Sequence, residues 1–235
     1  MADTPHILVT GSSRGIGAAI IQRLAPQARI VGHASRESDS AIGADFSQPG
    51  AATALWQAAL ARLDGRIDVL INNAGVFEAA PIDLPDDEWL GQWERTMRIN
   101  LTASAELCRL AVSHFGERGG RIVNVASRAA YRGDSPAHWH YAASKAGMVA
   151  MTKSIARGYA ARGILAFAVC PGFTMTGMAE DYLASRGGDK LLADIPLGRV
   201  ADPAEVAETV AFLSLAAPPS MTGAVLDVNG ASYVR

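Results

Sequence analysis

Short runs of β-branched and aliphatic residues alternate along the chain with longer, alanine-rich segments whose apolar positions recur at helical spacing. That alternation marks βαβ units, in which a parallel sheet is covered by helices on both faces, and predicts an α/β fold. Strands are expected at residues 6–10 (HILVT), 28–33 (ARIVGH), 67–71 (IDVLI), 121–126 (RIVNVA), 164–170 (ILAFAVC) and 224–228 (AVLDV), with a brief one near 42–45. Helices are expected at 15–25, 50–63, 86–115 with a break near 95–100, 139–161 and 203–215. The last has Asp202 placed as N-cap and Pro203 at the first helical position. No repeat, low-complexity block or linker interrupts the pattern, so one domain is expected over 1–235. The segment 172–196 (GFTMTGMAEDYLASRGGDKLLADIP) is too long for a turn and amphipathic in places. A mobile lid over a substrate is the expectation there.

With 235 residues, 49% of them hydrophobic and 19% charged, the chain can bury a sizeable core. Its 21 basic and 23 acidic side chains leave a formal net charge of -2, which gives no field to concentrate nucleic acid or anionic lipid. Neither is an expected partner. No stretch approaches the roughly 20 apolar residues of a membrane helix, and the first residues carry no basic leader, so a soluble cytoplasmic protein is expected. Cys108 and Cys170 lack metal-ligand spacing and read as buried small hydrophobes; no metal is expected.

Candidate chemistry begins at VTGSSRGIG, where Gly11, Gly15 and Gly17 follow an apolar strand and open a helix. Glycines there let the backbone approach a pyrophosphate while the helix N-terminus aims N–H groups at it. The spacing alone also fits a plain strand-to-helix turn. At the end of the second strand an acid would bond ribose hydroxyls and repel a 2′-phosphate. Ala34 and Ser35 stand there instead, followed by Arg36, and Arg14 sits in the glycine loop. Two guanidinium groups able to clasp a phosphate favour NADP(H) over NAD(H), the alternative being two solvated surface arginines. In DVLINNAG, Asn72 is expected to tie neighbouring strands, with Asn73 and Gly75 facing the adenosine ribose.

In YAASK, Tyr141 and Lys145 are four residues apart and project from one face of a helix. Moving a phenol from its reference pKa near 10 to neutrality takes about three units, roughly 4 kcal/mol. An ammonium one turn away, helped by an oxidised nicotinamide, is the expected source, so Lys145 should lower Tyr141. Ser127 ends a strand 14 residues earlier, where its hydroxyl could hold a substrate carbonyl. Separately, these residues also read as a core edge, a solvated charge and a turn serine.

Taken in order, TGSSRGIG, NNAG, Asn100 in RINLT, Ser127, YAASK and PGFTMTGM resemble the short-chain dehydrogenase/reductase family over essentially the whole chain. The resemblance implies a Rossmann-type doubly wound sheet of about seven strands in the order 3-2-1-4-5-6-7. It implies a catalytic tetrad of Asn100, Ser127, Tyr141 and Lys145, with Asn100 holding a water that reconnects Lys145 to solvent. It also implies NADP(H) contacts at Gly11, Ser12, Ser13, Arg14, Gly15, Ile16, Gly17, Ser35, Arg36, Asp45, Phe46, Asn73, Ala74, Gly75, Tyr141, Lys145, Pro171, Gly172, Thr174 and Thr176. Asp45 would meet the adenine ring, and Thr174 the nicotinamide carboxamide. The pattern is most similar to 3-oxoacyl-(acyl-carrier-protein) reductases, in which arginines greet an acidic carrier; Arg118 and Arg162 lie in matching segments. The substrate would then be a small carbonyl compound, carrier- or CoA-linked. A ketone, polyol or sugar dehydrogenase is the alternative within enzymes, and a non-catalytic NADP(H) sensor the alternative outside them. A homotetramer or homodimer is implied, built on helices 86–115 and 139–161. The chain departs from the pattern at residues 36–43, too few for the usual helix, at Gly177, where an acid is common, and at VNGAS. His138, Trp139 and His140 are expected on the cleft rim.

Overall fold

The computed structural model describes residues 4–175 and 192–235. Seven strands form one parallel sheet: β1 (His6–Val9), β2 (Arg29–Ala34), β3 (Ala41–Gly43), β4 (Val69–Asn72), β5 (Gly120–Val125), β6 (Ile164–Pro171) and β7 (Val225–Val228). Their order is β3-β2-β1-β4-β5-β6-β7, as the resemblance implied. The helices are α1 (Gly15–Leu24), α2 (Ala51–Arg62), α3 (Asp86–Met97), α4 (Ala103–Phe115), α5 (Ala129–Arg132), α6 (Trp139–Tyr159) and α7 (Pro203–Leu215). Successive strand side chains point to opposite faces. Leu8, Leu70 and Ile122 join the core under α2, α4 and α6, with Leu55, Trp56, Leu107 and Ile155. Ile7, Val9, Val69, Ile71 and Val123 join the core under α1 and α7, with Ile20, Leu24, Val206 and Val210. Burial on both faces is why the strands read as unbroken apolar runs.

Chain direction across the sheet reverses between β1 and β4, and such a switch point opens a crevice beyond the strands' C-terminal ends. The polar exception inside the core lies on the same strands. Asn72 Nδ2 donates to Asn124 Oδ1 at 2.9 Å, and Asn124 Nδ2 to Thr152 Oγ1 at 2.8 Å, joining β4, β5 and α6. Asn72 therefore ties strands, as its position suggested.

Three local features refine the expected elements. The long helix 86–115 is α3, a π-helical turn over Arg98–Thr102, and α4. The single-turn helix α5 was not foreseen. Six residues join β2 to β3, closing with a Ser38↔Ala41 bridge where a crossover helix would otherwise stand. The start of α7 is as read: Asp202 accepts from Ala204 N–H at 2.8 Å, and Glu205 accepts from Asp202 N–H at 2.8 Å, a capping box with Pro203 at N1. Most of the expected lid, 176–191, lies outside the described residues, as does Thr176. Among the described residues no helix is long and apolar enough to cross a membrane.

Candidate active site

The glycine loop leaves β1 against the chain that leaves β4. Gly11 and Gly15 adopt left-handed backbone angles, φ +65° and +54°, which glycine accepts without strain. A Cβ on Gly11 would lie 2.7 Å from Ala74 Cα, and one on Gly17 would lie 2.6 Å from Asn73 Nδ2. Helix α1 follows with no side-chain cap and no acidic residue in its first turn. Its first amides are free to meet an anion, so the cradle fits a phosphate-bearing nucleotide.

Side chains from neighbouring strands hold this loop. Thr10 Oγ1 accepts from Asn73 N–H and Ala74 N–H, each at 3.0 Å, while Asn73 Nδ2 donates to Thr10 O at 3.0 Å and Gly11 O at 2.9 Å. Asn73 was expected to face the ribose; its amide hydrogens are instead spent on the loop. Ser12 is buried, donating to His33 O through both N–H and Oγ. Ser13, Arg14, Ser35, Arg36 and Asp45 are exposed around the crevice, and neither arginine has an acidic partner among the described residues. Glu37, next to Arg36, is taken up by Arg62 and the Gly43 amide. Phe46, expected at the cofactor, is buried against the His33 ring.

On the far side of the crevice the four implied catalytic residues come together. Tyr141 and Lys145 share a face of α6, and Ser127 follows β5. Ser127 stands beside the Tyr141 phenol, near enough to favour its ionised form, and Ser127 Oγ accepts from Ala129 N–H at 3.1 Å. Lys145 Nζ donates to Val125 O at 3.0 Å and stands 5.8 Å from the Tyr141 ring centre. A Cβ on Gly75 would sit 3.5 Å from that Nζ and 3.3 Å from Asn100 Oδ1, so a side chain there would crowd this corner. Asn100, in the π turn, accepts from Val76 N–H at 2.8 Å and donates to Val76 O at 3.0 Å and Ser144 Oγ at 3.3 Å. Its amide fixes the exit from β4. Pro171 ends β6, Gly172 follows it, and Thr174 is buried, pairing with Ala201.

Burial pushes the Tyr141 phenol up to about 12, opposed by the nearby Ser127 hydroxyl, and pushes the Lys145 ammonium down to about 8. In the protein without nucleotide, burial sets both directions.

An aromatic group borders Tyr141. Phe77 stacks on His138 at 3.9 Å and meets the Tyr141 ring edge-on at 4.8 Å. Trp139 is half exposed beside Trp89, whereas His140 is buried near Trp93 and does not reach the rim. Arg118 and Arg162 lie elsewhere. Both precede the N-terminal ends of strands, and the 21 residues from Tyr141 to Arg162 run roughly 30 Å along α6. Arg118 lines a cavity of about 590 Å³ at that opposite edge, together with Arg66 and Arg121.

A family profile described as enoyl-(acyl carrier protein) reductase matches residues 11–231. The 3-oxoacyl-(acyl-carrier-protein) reductase FabG of Vibrio cholerae is 35% identical over 241 residues, covering 97% of this chain and 96% of that one. The acetoacetyl-CoA reductase of Rhizobium meliloti is 33% identical over 238 residues, covering 96% and 97%. A blue fluorescent protein from a metagenomic library, solved in complex with NADPH, superposes with a TM-score of 0.88 at 33% identity, covering 99% of both chains. The chain belongs to the short-chain dehydrogenase/reductase family. As a short-chain dehydrogenase/reductase it is an oxidoreductase acting between CH–OH and C=O groups.

In this short-chain dehydrogenase/reductase, Thr10, His33 and Phe77 escaped the sequence reading although each touches a site residue. Each meets its partner across the sheet or between loops, where no spacing along the chain announces it.

Proposed function

We propose that the protein is an NADP(H)-dependent carbonyl reductase most like a 3-oxoacyl-(acyl-carrier-protein) reductase, working in the cytoplasm on a carrier- or CoA-linked 3-oxoacyl group. One domain holds nucleotide and substrate. The observation that carries the reading is the convergence of Ser127, Tyr141 and Lys145 at the sheet's C-terminal rim, with Lys145 Nζ 5.8 Å from the Tyr141 ring and bonded to Val125 O. NADPH-bound and 3-oxoacyl-reducing relatives support the cofactor and substrate class, and Arg14 and Arg36 support a 2′-phosphate. Bound nicotinamide supplies the hydride.

This chain's residues supply the proton and the geometry. Ser127 bonds the substrate oxygen and stabilises charge developing there. Tyr141 keeps its proton at neutral pH and gives it to that oxygen as alkoxide character grows, since an alkoxide is a far stronger base than a phenolate. Lys145 stabilises the phenolate left behind, and Asn100 holds the β4 exit in register with α6.

Arg118 and Arg162 do not serve a carrier at their own protomer's site. They reach one only across a two-fold interface that sets a second copy's α4 and α6 antiparallel to these, which favours a homodimer or homotetramer. The aromatic wall of Phe77 and His138 favours a second reading, reduction of a free ketone with a flat apolar substituent. Comparison of kcat/KM for acetoacetyl-CoA and an aryl ketone separates the two.

The decisive experiment is Tyr141→Phe, assayed by NADPH consumption with both substrates. Turnover should fall about 10³-fold while NADPH affinity stays within about threefold. A variant that keeps more than about a tenth of wild-type turnover sinks the assignment of the proton donor.

A further inference from the structure

His33 is a buried titratable side chain that the proposed chemistry does not use. It lies near the end of β2, only 3% exposed, beneath the glycine loop. Gly11 N–H donates to its Nδ1 at 3.2 Å, its Nε2 stands 2.8 Å from Ala44 O, and its ring stacks on Phe46 at 4.2 Å and 19°. A carbonyl oxygen only accepts, so Nε2 carries a proton; an amide only donates, so Nδ1 carries none. One neutral tautomer satisfies both bonds. The backbone carbonyl of His33 also takes the Ser12 N–H at 2.8 Å and the Ser12 hydroxyl at 3.2 Å. A single residue thus joins Gly11 and Ser12, on the phosphate side of the crevice, to the segment that carries Asp45, on the adenine side.

We propose that His33 is a positioning residue for the dinucleotide, whose neutral ring clamps the glycine loop to the segment after β3 and whose protonation releases it. The proposal rests on the nucleotide reading of that loop. A proton on Nδ1 would set donor against donor at Gly11. Burial already holds the ring below the usual histidine range, against a weaker opposing effect from Ala44. The charged groups on the segments around it are Arg14 on the glycine loop, Arg36, Glu37 and Asp39 between β2 and β3, and Asp45 after β3. Glu37 is held by Arg62 and Gly43, and Asp45 by the Ser47 amide. Among the described residues none of them bonds to the ring. Because the clamped state needs the neutral ring, nucleotide affinity should be full at neutral pH and fall as pH drops below the ordinary histidine value.

The test compares wild type, His33→Phe and His33→Asn. Phenylalanine keeps the ring and its stack but bonds neither Gly11 nor Ala44; asparagine keeps an acceptor near the Nδ1 position and does not titrate. NADPH dissociation constants are measured from pH 8 to pH 5, with thermal melts alongside. The 2′-phosphate of NADPH also ionises in this range but does so for all three proteins, so the ratio between proteins isolates His33. At pH 8 the phenylalanine variant should bind about tenfold more weakly than wild type and the asparagine variant, which keeps the Gly11 bond but loses the Ala44 bond, about threefold more weakly, with kcat at saturating NADPH little changed in either. Between pH 7 and pH 5 wild type should lose affinity about fivefold more than the asparagine variant. A phenylalanine variant that melts cooperatively and binds like wild type overturns the clamp. So does a wild-type to asparagine ratio that stays flat down to pH 5, an arm that decides even if the phenylalanine variant does not fold. Wild type that binds neither NADPH nor NADH at any pH removes the nucleotide reading, and the clamp with it.

Discussion

Lys145 keeps an ammonium where the surroundings resist it, with Val125 O as its recorded acceptor. Its folded pKa of about 8 lies below the unfolded value near 10.4. Between those values the folded protein binds fewer protons than the unfolded chain, so this group makes stability rise with pH across that window. Its destabilising effect is therefore complete below about pH 8 and fades as pH approaches 10. Lys145→Met should raise the melting temperature at pH 7 by roughly 3–6 °C, lose that advantage near pH 10, and abolish turnover. A melting temperature that drops at pH 7 would show that the ammonium supports the fold. Chain spacing revealed that Tyr141 and Lys145 share a helix face, because a four-residue interval is a geometric fact about helices. It could not reveal which way their acidities move, because that depends on how dry the assembled site is. Thr10 and His33 were unreadable for a related reason. Their bonds depend on the register of β1 against β2 and β4, with Val9 opposite Gly32 and Ile71.

At the scale of elements, local signals were legible where they follow rules of a few residues. Asp202, Pro203 and Glu205 announce the start of α7, and the capping box is formed. Asp202→Ala should cost about 1 kcal/mol and lower the melting temperature by roughly 2–4 °C, without changing NADPH affinity. A loss of affinity beyond about threefold would mean that the cap also shapes the crevice. The β2–β3 connection could be counted as too short for a helix, and six residues with a bridge stand there. The break near 95–100 was legible, but its π-helical form was not. It carries no proline or glycine and inserts one residue into an otherwise regular helix, shifting the phase of the apolar positions without interrupting them. That shift carries Asn100 to Val76. The four-residue helix α5 has no period to detect.

At the scale of the molecule, alternation of strand and helix was sufficient to foresee a parallel sheet buried on both faces, and the motif order foretold the strand order. The reading erred over distance. Arg118 and Arg162 were placed beside a carrier by position in the chain, whereas parallel strands send the ends of α4 and α6 to the opposite rim. The two cysteines, by contrast, belong to the buried interior as expected, Cys108 against Asn72 and Asn124 and Cys170 on β6, with burial pushing Cys108 up to about 12 and Cys170 up to about 11. Neither thiol forms an appreciable thiolate at neutral pH, so alkylating reagents should reach them only when the chain opens. Labelling then reports the native population directly, and any compound that binds the folded state should slow it by about one plus its concentration over its Kd. A panel of acyl thioesters and ketones can therefore be ranked by thiol protection, with no turnover required. Fast modification that NADPH leaves unchanged would show that local opening, rather than global unfolding, exposes the sulfurs.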